Sequence, residues 1–190
     1  MVNYDFLTPL IIVILYSILY ILRNRIIRIV RKNKLLNFYA DGLKDSCSIK
    51  INSFKKSLFL PIISIILLNI IIYSSLQITN PEFDIISKFI STFVSPFSEE
   101  LMFRGILIGF FSVYFFKTMK WVRSKEMKWS IIISVVMLTS LFFMYQHPQP
   151  NPLPFFSGIL YSALYLYDGR NLTGPVIAHL VNNFIANFIF

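Results

Sequence analysis

Charged residues are scarce in this chain. Aspartate, glutamate, lysine and arginine make up 14% of its 190 residues, whereas a soluble domain averages about 25%. Hydrophobic residues make up 56%, and 20 residues are phenylalanine. A composition this poor in charge argues against a soluble domain and predicts a membrane protein.

Cysteine is almost absent, and several functional signatures are missing. The single Cys47 excludes an intrachain disulfide. No nucleic-acid-binding motif accompanies the net charge of +9, so nucleic acid is not expected as a partner. No internal repeat is visible, which disfavours a carrier built from two related halves.

Six apolar segments predict an all-α, polytopic membrane protein with about six transmembrane helices. A helix needs about 20 apolar residues to cross the hydrocarbon core. The second and third segments meet this requirement, whereas the fifth is short. The first lacks a basic leader and a cleavage pattern, so we interpret it as a retained helix rather than a signal peptide. The segments are Phe6–Leu22, Leu58–Ile78, Ile85–Phe116, Trp129–Tyr145, Phe155–Tyr167 and Pro175–Phe190.

Lysine and arginine are concentrated in alternate connections between these segments. The connections Arg23–Lys56 and Lys117–Lys128, together with Arg170, hold 16 of the 18. The opposite connections, 79–84 and 147–154, contain none. By the positive-inside rule the basic connections face the cytoplasm and both termini face the other side. The abundance of Ile, Asn, Lys and Phe favours a bacterial source, so we expect an integral protein of a bacterial plasma membrane.

Three charged residues lie close together inside the third apolar segment: Glu99, Glu100 and Arg104. A charge at the bilayer centre costs roughly 2.5–3.5 kcal/mol on insertion scales, so intramembrane charges are candidates for a functional site. Glu100 precedes Arg104 by four residues, the favourable order for a helical ion pair. Glu99 projects about 100° away around the helix and is predicted to face a different neighbour.

Both histidines of the chain also lie in or beside apolar helices. His147 follows Phe143 by four residues and His179 precedes Asn183 by four, so each pair shares a helical face. Each histidine has a structural alternative, since His147 alone could be a packing residue and the His179–Asn183 pair could link helices by hydrogen bonds. Because three helices each present a polar turn, the sequence predicts one buried site.

These three patterns, in this order, resemble the motifs of the CPBP family, the CAAX-protease and bacteriocin-processing (Abi) intramembrane endopeptidases. The matching residues are Glu99-Glu100-x-x-x-Arg104, Phe143-x-x-x-His147 and His179-x-x-x-Asn183. The resemblance covers about 89–190 and implies a catalytic core of four helices. We therefore divide the chain into 1–84, with two helices and the basic loop, and a catalytic core at 85–190.

The resemblance implies an enzyme, a glutamate-type intramembrane protease. Its substrate would be a membrane-anchored protein or a peptide, with or without a prenyl group. The reaction would serve bacteriocin self-immunity, peptide processing or CAAX-type cleavage. The expected partners are therefore the lipid bilayer and this substrate.

The same resemblance implies roles for the site residues. Glu99 with His147 would activate a water molecule, and His179 with Asn183 would stabilise the tetrahedral intermediate. Glu100, Arg104 and Phe143 would support them. No cofactor is expected; if zinc is bound instead, Glu99, His147 and His179 would be its ligands. A zinc-binding Glu99 is not easily also a free base, and the chain contains no His-Glu-x-x-His pattern.

Three other interpretations remain. The chain could be a membrane binding or immunity protein that keeps the fold without catalysis, a zinc-dependent version of the protease, or a proton-coupled carrier with relaying carboxylates. The protease interpretation also raises a geometric difficulty. In a straight six-helix arrangement Glu99 lies near mid-membrane, His147 near the outer end of its helix and His179 nearer the inner end. A common site then requires tilted helices or a non-helical segment inside the fold.

Overall fold

The computed structural model describes residues 46–76, 85–110, 124–147 and 152–189. These residues are mostly helical and contain no β-strand, only one isolated bridge between Ser48 and Asn171. The helices are α1 (Leu60–Leu76, preceded by a π-helical turn at Lys55–Phe59), α2 (Ile85–Phe93), α3 (Ser95–Glu100), a π-helix at Leu101–Phe110, α4 (Lys125–Tyr145), α5 (Leu153–Tyr167) and α6 (Thr173–Phe188). The predicted all-α class is confirmed for the described part of the chain.

Two of the described helices are long and apolar enough to cross a membrane, judged by length and composition. They are Lys55–Ile72 and Lys125–Tyr145. The helix Leu153–Tyr167 is apolar but shorter, in line with the short fifth segment of the sequence. The predicted first helix, Phe6–Leu22, lies outside the described residues. The count of six helices, the division at residue 84 and the membrane orientation therefore stay predictions.

The third apolar segment is not one helix, which corrects the sequence-based expectation. It is interrupted at Val94, so that α2 ends at Phe93 and α3 begins at Ser95. Pro96 lacks an N–H and cannot donate the α-helical hydrogen bond to the carbonyl of Thr92. Beyond α3 the chain widens into the π-helix, a form that is frequent at functional sites. The two glutamates are thus the last residues before a change of helix type.

The last two helices begin two residues earlier than predicted. Helix α5 starts at Leu153 rather than Phe155, and α6 starts at Thr173 rather than Pro175. Both helices have a proline in the first turn, where a backbone N–H has no helical acceptor and its absence costs little. The side-chain oxygen of Asn171 accepts a hydrogen bond from the Thr173 N–H at 3.2 Å, which gives the first N–H of α6 an acceptor.

The largest of three buried apolar clusters in the described residues connects helices from both halves of the chain. Its buried members come from α1, the π-helix, α4, α5 and α6, so these elements share one core. They are Ile65, Phe103, Phe143, Tyr161, Leu164 and Ala178. Because Ile65 belongs to α1, this helix packs directly against the region that carries the three motifs.

One end of the bundle joins the segment before α1 to the turn between α5 and α6. The Leu172 N–H donates to the carbonyl of Ser48 at 2.8 Å, and the Lys50 N–H donates to Asn171 Oδ1 at 3.0 Å. The carboxylate of Asp168 accepts from Ser57 Oγ at 3.0 Å. Lysines at 50, 55 and 56 and the arginine at 170 therefore lie at the same end of the bundle, as the pattern of alternate basic connections requires.

Candidate active site

Glu100 binds two partners through one carboxylate oxygen. Its Oε1 accepts from Arg104 Nη1 at 3.0 Å and lies 2.8 Å from His179 Nδ1, and all three side chains are buried. The predicted Glu100–Arg104 pair is therefore present. A carboxylate oxygen accepts hydrogen bonds, so Nδ1 of His179 carries the proton and Nε2 is the nitrogen directed elsewhere.

The Arg104 guanidinium lies in an aromatic enclosure. Its Nη2 donates to the carbonyl of Gly158 at 2.9 Å. The guanidinium carbon lies 4.8 Å from the Phe143 ring centroid, 5.2 Å from that of Tyr161 and 5.7 Å from that of Phe103. The aromatic faces and the carboxylate together compensate a positive charge that is almost fully buried. Arg104 thus has the environment of a structural counter-charge.

Glu99 has a different environment from its neighbour. Its side chain is 26% exposed, whereas that of Glu100 is fully buried. Ser95 Oγ, one turn earlier, donates to Glu99 Oε1. The other oxygen, Oε2, lies 3.8 Å from His179 Nε2. This separation is too long for a direct hydrogen bond, yet a single oxygen atom can contact both groups.

His179 is held on three sides. Its Nδ1 bonds Glu100, the Tyr161 ring stacks on its face at 4.9 Å and 21°, and the Phe143 ring meets it nearly perpendicularly at 5.5 Å and 78°. The ring is 2% exposed. The structure therefore brings His179 to the glutamate pair, as the prediction of one buried site requires.

His147 lies two residues beyond the end of α4. Its Nδ1 is 2.7 Å from the carbonyl oxygen of Phe143; because a carbonyl only accepts, Nδ1 carries the proton and Nε2 has the lone pair. The ring centroid lies 4.7 Å from that of Phe143, which also contacts His179. The difference in depth expected from straight helices does not separate Glu99 from His179. In the described residues His147 contacts Phe143, whose ring also contacts His179, and the structure does not place His147 in contact with Glu99.

Asn183 links α6 to α2. Its Nδ2 donates to the carbonyl of Ser91 at 2.7 Å. One turn later, Asn187 Nδ2 lies 2.9 Å from both Ser91 Oγ and Thr92 Oγ1. Within the described part of the chain the hydrogen bonds of Asn183 go to Ser91 and Asn182, not to Glu99 or the histidines. This geometry matches the alternative in which Asn183 links helices by hydrogen bonds. A catalytic role for Asn183 stays a prediction.

Sequence reasoning missed three residues of the site: Ser95, Gly158 and Tyr161. Ser95 precedes Glu99 by four residues, so the same spacing rule that paired Glu100 with Arg104 would have found it. The carbonyl of Gly158 and the ring of Tyr161 reach the site from α5. No local signal in an apolar helix distinguishes them from ordinary core residues.

The candidate zinc ligands do not form a metal-binding group in the described residues. Nowhere in 46–76, 85–110, 124–147 or 152–189 do three or more histidine, cysteine, aspartate or glutamate side chains come together in a way that could hold a metal ion. Glu99 and His179 are adjacent, but the Nδ1 of His179 is engaged by Glu100. Cofactor independence stays a prediction.

Comparison with known protein families identifies a match for this chain. The family model for Rce1-like type II CAAX prenyl endopeptidases matches residues 81–185, which is more than half of the chain. The matched range runs from just before α2 to the last turn of α6 and includes all seven predicted site residues. No curated protein and no solved structure matches the chain.

Proposed function

Because this chain belongs to the Rce1-like family of type II CAAX prenyl endopeptidases, we propose that it is an intramembrane endopeptidase. It hydrolyses a peptide bond in a membrane-associated protein or peptide. Glu99 is the general base that activates the water molecule. The buried, polar meeting point of α3, α4 and α6 is where the reaction takes place.

The single observation that carries this proposal is the unequal environment of two adjacent carboxylates. Glu100 is fully buried and bonded to Arg104 and His179, so its negative charge is already compensated by these partners. Glu99 is partly exposed, and its Oε2 faces His179 across 3.8 Å. A general base must reach the proton that it removes, and Glu99 is the carboxylate with that access.

The reaction can be written with these side chains alone. A water molecule beside Glu99 Oε2 gives up a proton to Glu99, assisted by the Nε2 lone pair of His147, while its oxygen bonds to the substrate carbonyl carbon. Nε2 of His179, when protonated, donates to the negatively charged oxygen that forms. The second N–H of Asn183 Nδ2 is the other proposed donor. The protonated base then returns its proton to the departing nitrogen as the carbon–nitrogen bond breaks.

Glu100 and Arg104 support this chemistry without touching the substrate. Glu100 orients His179 through Nδ1, and Arg104 compensates the charge of Glu100 inside an apolar core. Removing bulk water strengthens each of these interactions, because charges interact more strongly at low dielectric. The pair therefore allows two carboxylates to be kept where the surrounding helices are apolar.

The proposed substrate is a peptide or a protein held at the membrane. Because the family is that of type II CAAX prenyl endopeptidases, we propose a prenyl-bearing C-terminal peptide as one substrate to test. Processing of a peptide or bacteriocin self-immunity in a bacterial plasma membrane is the physiological role that we propose from the sequence. In the proposed enzyme each of these roles is carried out by hydrolysis of a peptide bond at this site.

The test compares the purified wild type with Glu99→Gln in liposomes. A quenched peptide library with matched prenylated and unprenylated members reports cleavage. We expect turnover by the wild type and a loss of about 100-fold or more in Glu99→Gln, the scale of losing a general base. Glu126→Gln, the same change at an exposed site on α4, is the control and is expected to leave turnover unchanged. Equal turnover by wild type and Glu99→Gln would refute the proposed base.

The same preparation separates the other interpretations. Protection of cells from a bacteriocin that survives Glu99→Gln would favour a binding or immunity protein. Loss of peptide cleavage on adding a chelator, with recovery on adding zinc, would favour the zinc-dependent version. A glutamate-type mechanism predicts that the chelator has no effect.

A further inference from the structure

Tyr161 contacts two side chains that bind the same carboxylate oxygen. Its ring stacks on His179 with a centroid distance of 4.9 Å and an interplanar angle of 21°. The same ring lies 5.2 Å from the Arg104 guanidinium carbon. Arg104 and His179 both bond Oε1 of Glu100. Tyr161 therefore contacts both partners of Glu100 from the α5 side of the site.

One hydrogen bond does not determine the orientation of an imidazole ring. The Glu100–His179 bond restrains Nδ1, but the imidazole can still turn about its Cβ–Cγ bond over the range of angles that a hydrogen bond tolerates. Turning would move Nε2 away from Glu99 Oε2, which lies 3.8 Å from it. A second constraint, acting on the plane of the ring, is needed to keep the two atoms facing each other.

The face of Tyr161 supplies this constraint. Its ring is nearly parallel to the imidazole, and Phe143 meets the imidazole nearly perpendicularly at 78°. Tyr161 is fully buried, so its own ring has little room to move. A flat, buried surface against the imidazole resists the rotation that the hydrogen bond alone permits.

We propose that Tyr161 is a positioning residue that sets the plane of His179 and directs its Nε2 towards Glu99. This rests on the proposed function, because it requires His179 to act in peptide hydrolysis. The aromatic ring does this rather than the hydroxyl group, since the contact is made by the face of the ring. Phenylalanine at this position should therefore preserve the effect, and leucine should not.

The test is a steady-state comparison of Tyr161→Phe and Tyr161→Leu with the wild type in liposomes. We expect Tyr161→Phe to keep kcat within about threefold and Tyr161→Leu to lower kcat by about tenfold or more, with KM within about threefold, because the loss is of alignment rather than of substrate binding. The kcat–pH profile should change shape only in the leucine variant.

Tyr165 provides the matched control. It lies one turn later on α5, is equally buried, and its hydroxyl donates to the carbonyl of Ser46 at 2.9 Å, away from His179. Tyr165→Leu removes the same ring from a neighbouring buried cluster, in which Tyr165 packs with Leu101, Ile108, Leu172 and Val176. We expect it to lower the thermal unfolding midpoint about as much as Tyr161→Leu while leaving kcat within about threefold of the wild type.

Each possible result either supports or overturns the role proposed for Tyr161. Wild-type kcat in Tyr161→Leu, or an equal loss of kcat in Tyr165→Leu, would overturn the proposal. If Tyr161→Leu does not fold, Tyr161→Met replaces it, because methionine fills the space without a flat face, and the same criteria apply. An inactive wild type, or activity that survives Glu99→Gln, would instead reject the proposed function.

Discussion

Two neighbouring glutamates differ more in their surroundings than any sequence pattern indicates. The spacing of Glu100 and Arg104 predicted their pairing, and the structure contains it. The second partner of Glu100, His179, lies 79 residues away in the chain and was not predictable from helical spacing. Because Glu100 makes this second bond, we interpret it as the supporting carboxylate, whereas Glu99 remains accessible.

The first prediction concerns the stability of these two carboxylates. Glu100→Gln leaves the buried Arg104 charge uncompensated, so we expect it to lower the free energy of unfolding by about 3–5 kcal/mol. Glu99→Gln removes a partly exposed charge and should change it by about 1 kcal/mol or less. Thermal unfolding of both variants in the same detergent measures the difference.

The two variants are therefore expected to lose different properties, activity in one and stability in the other. Glu99→Gln is expected to be folded and inactive, whereas Glu100→Gln is expected to be unstable. Equal unfolding midpoints for the two variants would contradict the assignment of Glu100 as the structural member of the pair.

At the scale of the element, α6 is the helix that links the site to its surroundings. Asn182 Oδ1 accepts from Asn69 Nδ2 of α1 at 2.9 Å, while Asn183 and Asn187 bond α2. The sequence predicted hydrogen bonding between helices, but it could not name the partners. The interruption at Val94 was likewise missed, because an apolar segment containing Pro96 was treated as one continuous helix.

The second prediction separates a catalytic Asn183 from a structural one. Asn183→Leu and Asn187→Leu each remove an amide that bonds α2, so both should lower the free energy of unfolding by about 0.5–2 kcal/mol. If Asn183 also stabilises the tetrahedral intermediate, kcat should fall about 10-fold or more further in Asn183→Leu than in Asn187→Leu. Peptide-cleavage assays and thermal unfolding on the same samples test both statements.

Asn187→Leu is the matched control, because Asn187 lies one turn further along the same face. Similar kcat values in the two variants would leave Asn183 with only the role of linking helices. That result would remove one proposed donor from the mechanism without affecting Glu99.

At the scale of the whole molecule, helix packing brings basic residues from separate connections to one end of the bundle. The segment before α1 and the turn after α5 are joined by hydrogen bonds at one end of the bundle. The chain makes this turn at Gly169 and Arg170, both with a positive φ, of 68° and 67°. The basic residues of two separate connections therefore lie together.

The third prediction concerns the side of the membrane that this end faces. In a Cys47→Ser background, Lys55→Cys should react with a membrane-impermeant thiol reagent only in inside-out vesicles, because the basic end is expected to face the cytoplasm. Gln146→Cys, exposed at the far end of α4, should react only in right-side-out vesicles. Labelling of both cysteines from the same side would contradict the orientation.

The sequence by itself determined the properties that depend on near neighbours and composition. Low charge and long apolar segments indicate helices for a membrane, and four-residue spacing predicts the Glu100–Arg104 pair and the shared faces of Phe143 with His147 and His179 with Asn183. These conclusions follow because hydropathy and helical periodicity act over a few residues. The ordered motifs also indicated the family that the family comparison confirmed.

Only the tertiary structure decided which groups meet. Packing of α5 against α4 and α6 brings Tyr161 to His179 and the carbonyl of Gly158 to Arg104. Packing of α6 against α3 gives Glu100 its second partner and leaves Glu99 accessible. Contacts between distant segments depend on how whole helices fit together, and that fit is not encoded in the spacing of any one segment.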